Sequence, residues 1–268
     1  MTRPSAVRLP ALCAALSMTG LAACQTAPVA NAGFLTGYDG LQTREGTLRA
    51  SIREHREEAA ATSVEALYIE PSALMPGGAP GIADSDVALV LGEVDRQVCY
   101  ELSERFTVLA NPETGAARVR AAVTRIRPTG GVGSGVSAVA SAFIPGPIGV
   151  RPPGSTGGLA AEAELLDASG RQVAALAWAR DANVVGADTP SLSRVGDALQ
   201  FAEVFGDQVG DTFAPKERKV REIPEPDPCA RFGPRTSAGG FLTRLVTNLY
   251  VPETQGVAPQ ASREASRP

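Results

Sequence analysis

Several stretches of the chain carry apolar residues at a regular period. Residues 84–106 (DSDVALVLGEVDRQVCYELSERF) place Val87, Leu91, Val94, Val98 and Leu102 at three- and four-residue steps, the spacing of one helix face. Asp84 or Ser85 is placed to cap this helix, and Asp86 suits the positive end of its dipole. Residues 64–71 (VEALYIEP) alternate, with Val64, Ala66 and Tyr68 on one face and Glu65, Leu67 and Ile69 on the other; Pro71 ends the predicted strand. Phe106–Leu109 reads as a short strand, Asn111–Gly115 as a turn, and Ala117–Ile126 as a longer strand. In the last, Val119, Ala121 and Val123 alternate with Arg118, Arg120 and Thr124, and the phase slips at Arg125-Ile126, as at a bulge.

Residues 159–167 (LAAEAELLD) and 171–181 (RQVAALAWARD) predict a hairpin closed by Ala168-Ser169-Gly170. Glu162 and Glu164 share a face and are placed to oppose Arg118 and Arg120 on an antiparallel neighbour. A second long helix opens at Thr189-Pro190, with Leu192, Val195, Leu199, Ala202, Phe205, Val209 and Phe213 as its stripe. This order predicts an α+β fold: a mainly antiparallel sheet of about 4–5 strands with two long helices packed on one face. The other faces of those helices, rich in Glu, Asp and Arg, are expected in solvent.

The remaining stretches are less periodic. Residues 43–61 are rich in Arg, Glu and Ala and fit a short polar helix or a loop. Residues 32–42 (AGFLTGYDGLQ) set Phe34, Leu35, Tyr38 and Leu41 among glycines, a segment that docks rather than floats. Residues 128–150, a Gly/Pro-rich insertion between strands, contain no charged residue. Exposed, Val136, Val139, Phe143 and Ile144 would form an interaction surface; the alternative is a crossover loop folding them back onto the sheet. Pro145, Pro147 and the glycines end any helix there too early to span a membrane. After Pro215 the chain turns basic, then is extended by prolines, and residues 239–250 (GGFLTRLVTNLY) fit a short amphipathic helix. The expected division is a leader over 1–23, a tether over 24–33, one α+β domain over 34–215, an extension over 216–251 and a disordered tail over 252–268.

The leader changes the picture most. Arg3 and Arg8 precede an uncharged run from Leu9 to Ala23, too short to span a bilayer and typical of a secretory signal. Leu21-Ala22-Ala23-Cys24 matches the pattern [LV]-[AST]-[GA]-C and so resembles the lipobox of bacterial lipoproteins. That resemblance implies cleavage before Cys24 and acylation of its sulfur and amine, palmitate being one such chain. A single acyl chain holds a protein marginally, whereas two or more hold it stably. The alternative is a plain secreted protein with a chance cysteine. Gln25, rather than Asp, points to the outer membrane, facing the periplasm.

Without Arg3 and Arg8 the chain has 23 basic residues against 29 acidic, a net charge of −6, which excludes the basic stripe of a nucleic-acid binder. Two cysteines, Cys99 and Cys229, remain besides Cys24, an even number in an oxidising compartment. They either pair or lie as two separate buried thiols. Two cysteines and a distant His55 are too few ligands for a metal site.

No catalytic signature stands out. His55, the single histidine, sits among Arg53, Glu54, Arg56 and Glu57 and reads as a solvated surface residue. No G-x-S-x-G, dinucleotide or phosphate-loop motif is present. The acidic pairs (Glu57 and Glu58, Glu162 and Glu164, Asp84 and Asp86) read as solvated faces.

Taken together, GFLTGYDGL after a lipobox, YIEP, a helix, ARVRAAVTRI, a Gly- and Ala-rich break and AAEAELLDASGRQVAA resemble the DUF3313 lipoproteins of proteobacteria. The resemblance spans residues 33–215 and brings no established activity, so it assigns no functional residue. The resulting expectation is a lipid-anchored protein of the outer membrane with a structural or binding role in the cell envelope. It has no catalytic activity and no cofactor, and its membrane contact is its acyl chains. A second reading is an oligomerising component of an envelope secretion or efflux complex, meeting an envelope protein or its own copies through residues 128–150. A third is a small-ligand binder or enzyme using a cleft between sheet and helices. Size in detergent separates the second from the first, and a deep polar pocket would favour the third.

Overall fold

The computed structural model describes residues 26, 29–47, 49–130, 149–152, 154–186, 188–234, 238–247 and 249–260. Cys24 and the proposed interaction residues Val136, Val139, Phe143 and Ile144 lie outside them. The described elements form an α+β fold around an eight-stranded, mostly antiparallel sheet. Its strands are β1 (Gln42–Thr43), β2 (Ala50–Arg56), β3 (Ala66–Ile69), β4 (Ala73–Leu74), β5 (Thr107–Leu109), β6 (Ala117–Arg127), β8 (Gly158–Leu166) and β9 (Gln172–Asp181). They run in the order β1-β2-β9-β8-β6-β3-β5, with β4 also on β6. A separate two-stranded ribbon joins β7 (Gly149–Val150) to β10 (Val185–Gly186). The helices among the described residues are α1 (Glu58–Ser63), α2 (Asp84–Ser103), α3 (Gly196–Phe213) and α4 (Ala238–Thr247).

The sheet has more strands than the expected four or five, and it is mixed. β3 and β5 pair in parallel, and β3 and β4 both run parallel to β6. Pro71 interrupts what would be one strand, because proline has no N–H to donate; Glu70 and Met75 resume the ladder by donating to Val119 and Val123. β2 is the larger surprise, since residues 43–61 showed no apolar period. Ser51, Arg53 and His55 face one side of the sheet while Ile52 enters the core on the other. On that second side only Ile52 is apolar, and Glu54 and Arg56 bond α3 and the chain after it, so the alternation is invisible to a hydrophobic count. The register shift in β6 falls between Val123 and Arg125, where the sequence loses phase.

One face of the sheet carries the main core. Leu159, Ala161, Ala163 and Leu165 of β8 and Leu176 and Trp178 of β9 pack against Val94 and Val98 of α2 and Leu199, Phe205 and Val209 of α3. The Trp178 and Phe205 rings lie 5.7 Å apart. The other face is built of alanines, with Ala160, Ala177 and Ala179 grouped around Val29 and Leu41. Small side chains there allow a backbone to lie flat on the sheet.

Two expectations for the helices change. The second long helix starts at Gly196 rather than Thr189, because Pro190 and Ser191 are engaged elsewhere, bonding to Tyr250. The outer side of α2 is not in solvent: Glu93, Asp95 and Arg96 are buried. The C-terminal chain covers them. Arg96 donates to the carbonyls of Gln255 and Gly256, and Tyr100 Oη donates to that of Gly233. Residues 252–260, expected as the start of a disordered tail, are part of this cover. Gln260 donates from its backbone to Ala88 and from its side chain to Asp95 Oδ2 at 2.7 Å. Gly92 makes room for it, since a Cβ there would lie 2.2 Å from the Ala258 carbonyl. The Cys99–Cys229 disulfide, with 5.8 Å between the Cα atoms, ties this extension to α2.

Candidate functional site

The alanine face holds a dense polar arrangement. Glu162 and Glu164 on β8 point into it, and both are fully buried. Across the sheet Glu164 is paired with Arg120, whereas Glu162 is opposite Ala122 and Arg118 opposite Leu166; one of the two expected cross-strand ion pairs exists. A buried carboxylate without partners would cost several kcal/mol. Here the N-terminal chain supplies the partners.

Residues 32–36 lie over the two carboxylates as a strap. Ala32 N–H donates to Glu162 Oε1 at 2.9 Å and Phe34 N–H to Oε2 at 3.3 Å. Thr36 donates to Glu164 from its N–H at 2.8 Å and from its hydroxyl at 3.1 Å. Tyr38 completes the set. Its hydroxyl donates to Glu162 Oε2 at 2.6 Å and accepts from the N–H groups of Gly33 and Leu35. All five consecutive N–H groups from Ala32 to Leu35 and Thr36 are thus satisfied by side chains where a β-strand would use a neighbouring backbone. Burial and the bond to the Glu162 carboxylate push the Tyr38 hydroxyl above its ordinary pKa, so it stays a donor. On the other side, Arg120 at 2.9 Å and Gln172 at 2.8 Å complete the shell of Glu164, and the Arg120 guanidinium lies 4.8 Å from the Phe34 ring centre.

These contacts explain the GFLTGYDGL motif. Gly33 has φ +83°, a conformation that favours glycine. Gly40 sits on His55, and a Cβ there would approach the imidazole to 3.0 Å. His55, expected in solvent, is half covered by the strap. The reading of residues 32–42 as a docking segment located the strap; its acceptors were read as a solvated acidic face. The missed signal was their place in the alanine-rich run AAEAE, which nothing but a covered strand requires.

A second arrangement pins the ends of the chain around residues 131–148. Arg151 and Asp197, both buried, form a two-point ion pair at 2.7 and 2.9 Å. Thr129 Oγ1 and Gly157 N–H also donate to Asp197, at 3.0 and 2.6 Å, and Gly130 N–H donates to the Ser155 carbonyl. Asp197 lies in the first turn of α3, where the helix dipole favours its charge. Neither residue carries a sequence signal, because their partnership is purely spatial.

Chemically, the strap carboxylates are fully occupied by backbone N–H groups, Tyr38, Arg120 and Gln172, and they have no exposed surface. Such a pair holds a peptide and offers no open oxygen to a substrate. Among the described residues no cluster of three or more His, Cys, Asp or Glu side chains is arranged for a metal ion. A cavity of about 330 Å³ lies beside Gln260, lined by Ile69, Pro71, Asp95 and Phe232 among others. Burial raises the Asp95 carboxyl above its usual range, against the opposing bonds from Gln260 and Ser72. The described helices include none long and apolar enough to cross a membrane.

No curated protein matches the sequence. Among solved structures, the PelC dodecamer of Paraburkholderia phytofirmans aligns at 12% identity and a TM-score of 0.39, covering 63% of this chain and 99% of that one. A single-substitution variant of the same dodecamer aligns at 9% identity and a TM-score of 0.36, with the same coverage. A family model described as "Protein of unknown function (DUF3313)" matches residues 30–209, from the strap through most of α3. With about two thirds of its length inside that match, the chain belongs to the DUF3313 family.

Proposed function

We propose that the protein is a lipid-anchored lipoprotein of the outer membrane, facing the periplasm, and that its role in the cell envelope is structural or binding rather than catalytic. The observation that supports this most is the strap. A tether meant only to give reach would be left free in solvent. Here the chain is already bound to the domain at Thr26, two residues after Cys24, and again at Val29. Val29 N–H donates to Ser51 Oγ, Arg53 donates to the Val29 carbonyl, and the two glutamates take the next turn of chain. A lipid on Cys24 would therefore hold the domain close to the membrane. Two fully buried carboxylates, Glu162 and Glu164, serve that attachment, which favours binding over catalysis as the use of this face.

The test is membrane fractionation on a density gradient, comparing wild type with Cys24→Ala. The reading expects wild type in the outer-membrane fraction and the variant in the soluble periplasmic fraction. Equal distribution of the two would overturn it.

A further inference from the structure

The strap has a defined starting point. Thr26, two residues after Cys24, is fixed at one end of the sheet: its hydroxyl donates to the Arg49 carbonyl at 2.8 Å and accepts from Asp181 N–H at 3.2 Å. The register extends this end across the sheet, with Ala50 opposite Arg180, Asp181 opposite Gly158, and Gly158 opposite Arg127. The chain also leaves the described structure at Gly130 and re-enters at Gly149 on this same end, since Gly130 bonds Ser155 and Arg151 N–H bonds the Val184 carbonyl. Two residues span at most ~7 Å, which bounds how far from Thr26 a lipid on Cys24 would enter the membrane.

The corner is basic although the whole chain is acidic. Past the β6 bulge, Ile126 enters the core, so Arg125 and Arg127 turn to the strap side. Both lean on a single carboxylate, Asp181, at 3.1 and 3.7 Å, and both are about 40% exposed. Arg49 is exposed at the same end, three strands over before β2, and Val184 presents an apolar side chain that is 43% exposed. Of the other acids at this end, Asp188 is taken by Arg180 and Asn183, Glu45 is exposed in the β1–β2 loop near Arg49, and Asp84 and Asp86 stand in the first turn of α2, on the helix side of the sheet. Three guanidinium groups against Asp181 and Glu45, with an exposed apolar side chain at the same end of the sheet as Thr26, match a surface of phosphate headgroups.

We propose that this corner, formed by Arg49, Arg125, Arg127 and Val184, is the surface of the protein that lies on the lipid bilayer. The assignment rests on the lipid-anchored reading and adds the orientation. The β8–β9 hairpin turn around Ala168 then points away from the membrane, about 30 Å off along the nine residues of β8.

The experiment uses the full acylated chain in vesicles of phosphatidylethanolamine and phosphatidylglycerol. A nitrobenzoxadiazole label is placed on Val184→Cys or, separately, on Ala168→Cys; the Cys99–Cys229 disulfide leaves those two sulfurs unreactive. Quenching by doxyl-labelled lipid is then measured, together with intact mass and vesicle flotation. The expected result is an acylated chain that floats and is quenched several-fold more strongly at Val184→Cys than at Ala168→Cys. An acylated, floating chain quenched equally at both positions, or more at Ala168→Cys, overturns the orientation alone. A chain without acyl mass that does not float overturns the anchor and the orientation together.

Discussion

Removing one oxygen tests whether the strap is held by its side-chain acceptors. In Tyr38→Phe the ring stays and the hydroxyl goes. Three interactions are lost: the bond to Glu162 Oε2 at 2.6 Å and the acceptor for Gly33 and Leu35 N–H, at 2.8 and 3.2 Å. A hydrogen bond to a charged group contributes about 1.5–3 kcal/mol net. Water can replace the acceptor for Gly33, whose bond is exposed, so that N–H adds little, whereas Leu35 N–H loses its acceptor at a partly buried position. The expected loss is about 2 kcal/mol, carried by opening of the strap rather than by the sheet beneath it. The assay is native-state hydrogen exchange. A loss of 2 kcal/mol corresponds to about 30-fold faster exchange at Ala32, Phe34 and Thr36, with β8 amides unchanged. A cycle with Glu162→Gln should return a coupling energy of about 1–3 kcal/mol between the two positions. Strap amides that exchange at unprotected rates in wild type, or that ignore Tyr38→Phe, would refute the clamp.

Three more outcomes are expected. Alanine for glycine inside a helix ordinarily stabilises by roughly 0.5–1 kcal/mol, but Gly92→Ala should release residues 258–260, because its Cβ would meet the Ala258 carbonyl; limited proteolysis should then cut the C-terminal segment that wild type protects. Cys229→Ser opens a loop with a sequence separation of 130 residues, and urea unfolding should show a loss of about 2–5 kcal/mol; an unchanged midpoint would mean that the extension is held without the bridge. Asp207 is pushed up to about 6 by burial and by Glu101, Glu203 and Asp211. Its folded pKa exceeds the unfolded value, so its contribution to stability is full below about pH 4 and is lost as pH rises through 6. Asp207→Asn should therefore stabilise at pH 7.5, by about 1 kcal/mol or less given the exposure of the side chain, and the gain should vanish at pH 4; a thermal-unfolding series across pH checks both.

The parts of this fold that were legible in the sequence have one apolar face against one polar face. α2, β6, β8 and β9 could be read because Val94, Val98, Val119, Val123, Leu165 and Leu176 recur at the right period. β2 could not, because Ser51 and Arg53 bond Val29 of the N-terminal chain and His55 lies under Gly40, while Glu54 bonds Gln208 and Thr212 of α3. The outer side of α2 was misread for a related reason. Glu93, Asp95 and Arg96 look like solvent residues until residues 229–260 are seen to cover them with matched partners. The strap was half legible: its apolar residues marked it as docked, but its acceptors lie 124 to 130 residues away in sequence. Arg151 and Asp197 were not legible at all, since a buried ion pair between elements leaves no local pattern.

The account depends first on the chemistry of Cys24. Intact-mass spectrometry of the protein extracted from membranes tests it directly. The account predicts a chain that begins at Cys24 and carries the added mass of a diacylglyceryl group and an amide-linked acyl chain. A chain that begins at any other residue, or begins at Cys24 with no added lipid mass, would contradict it.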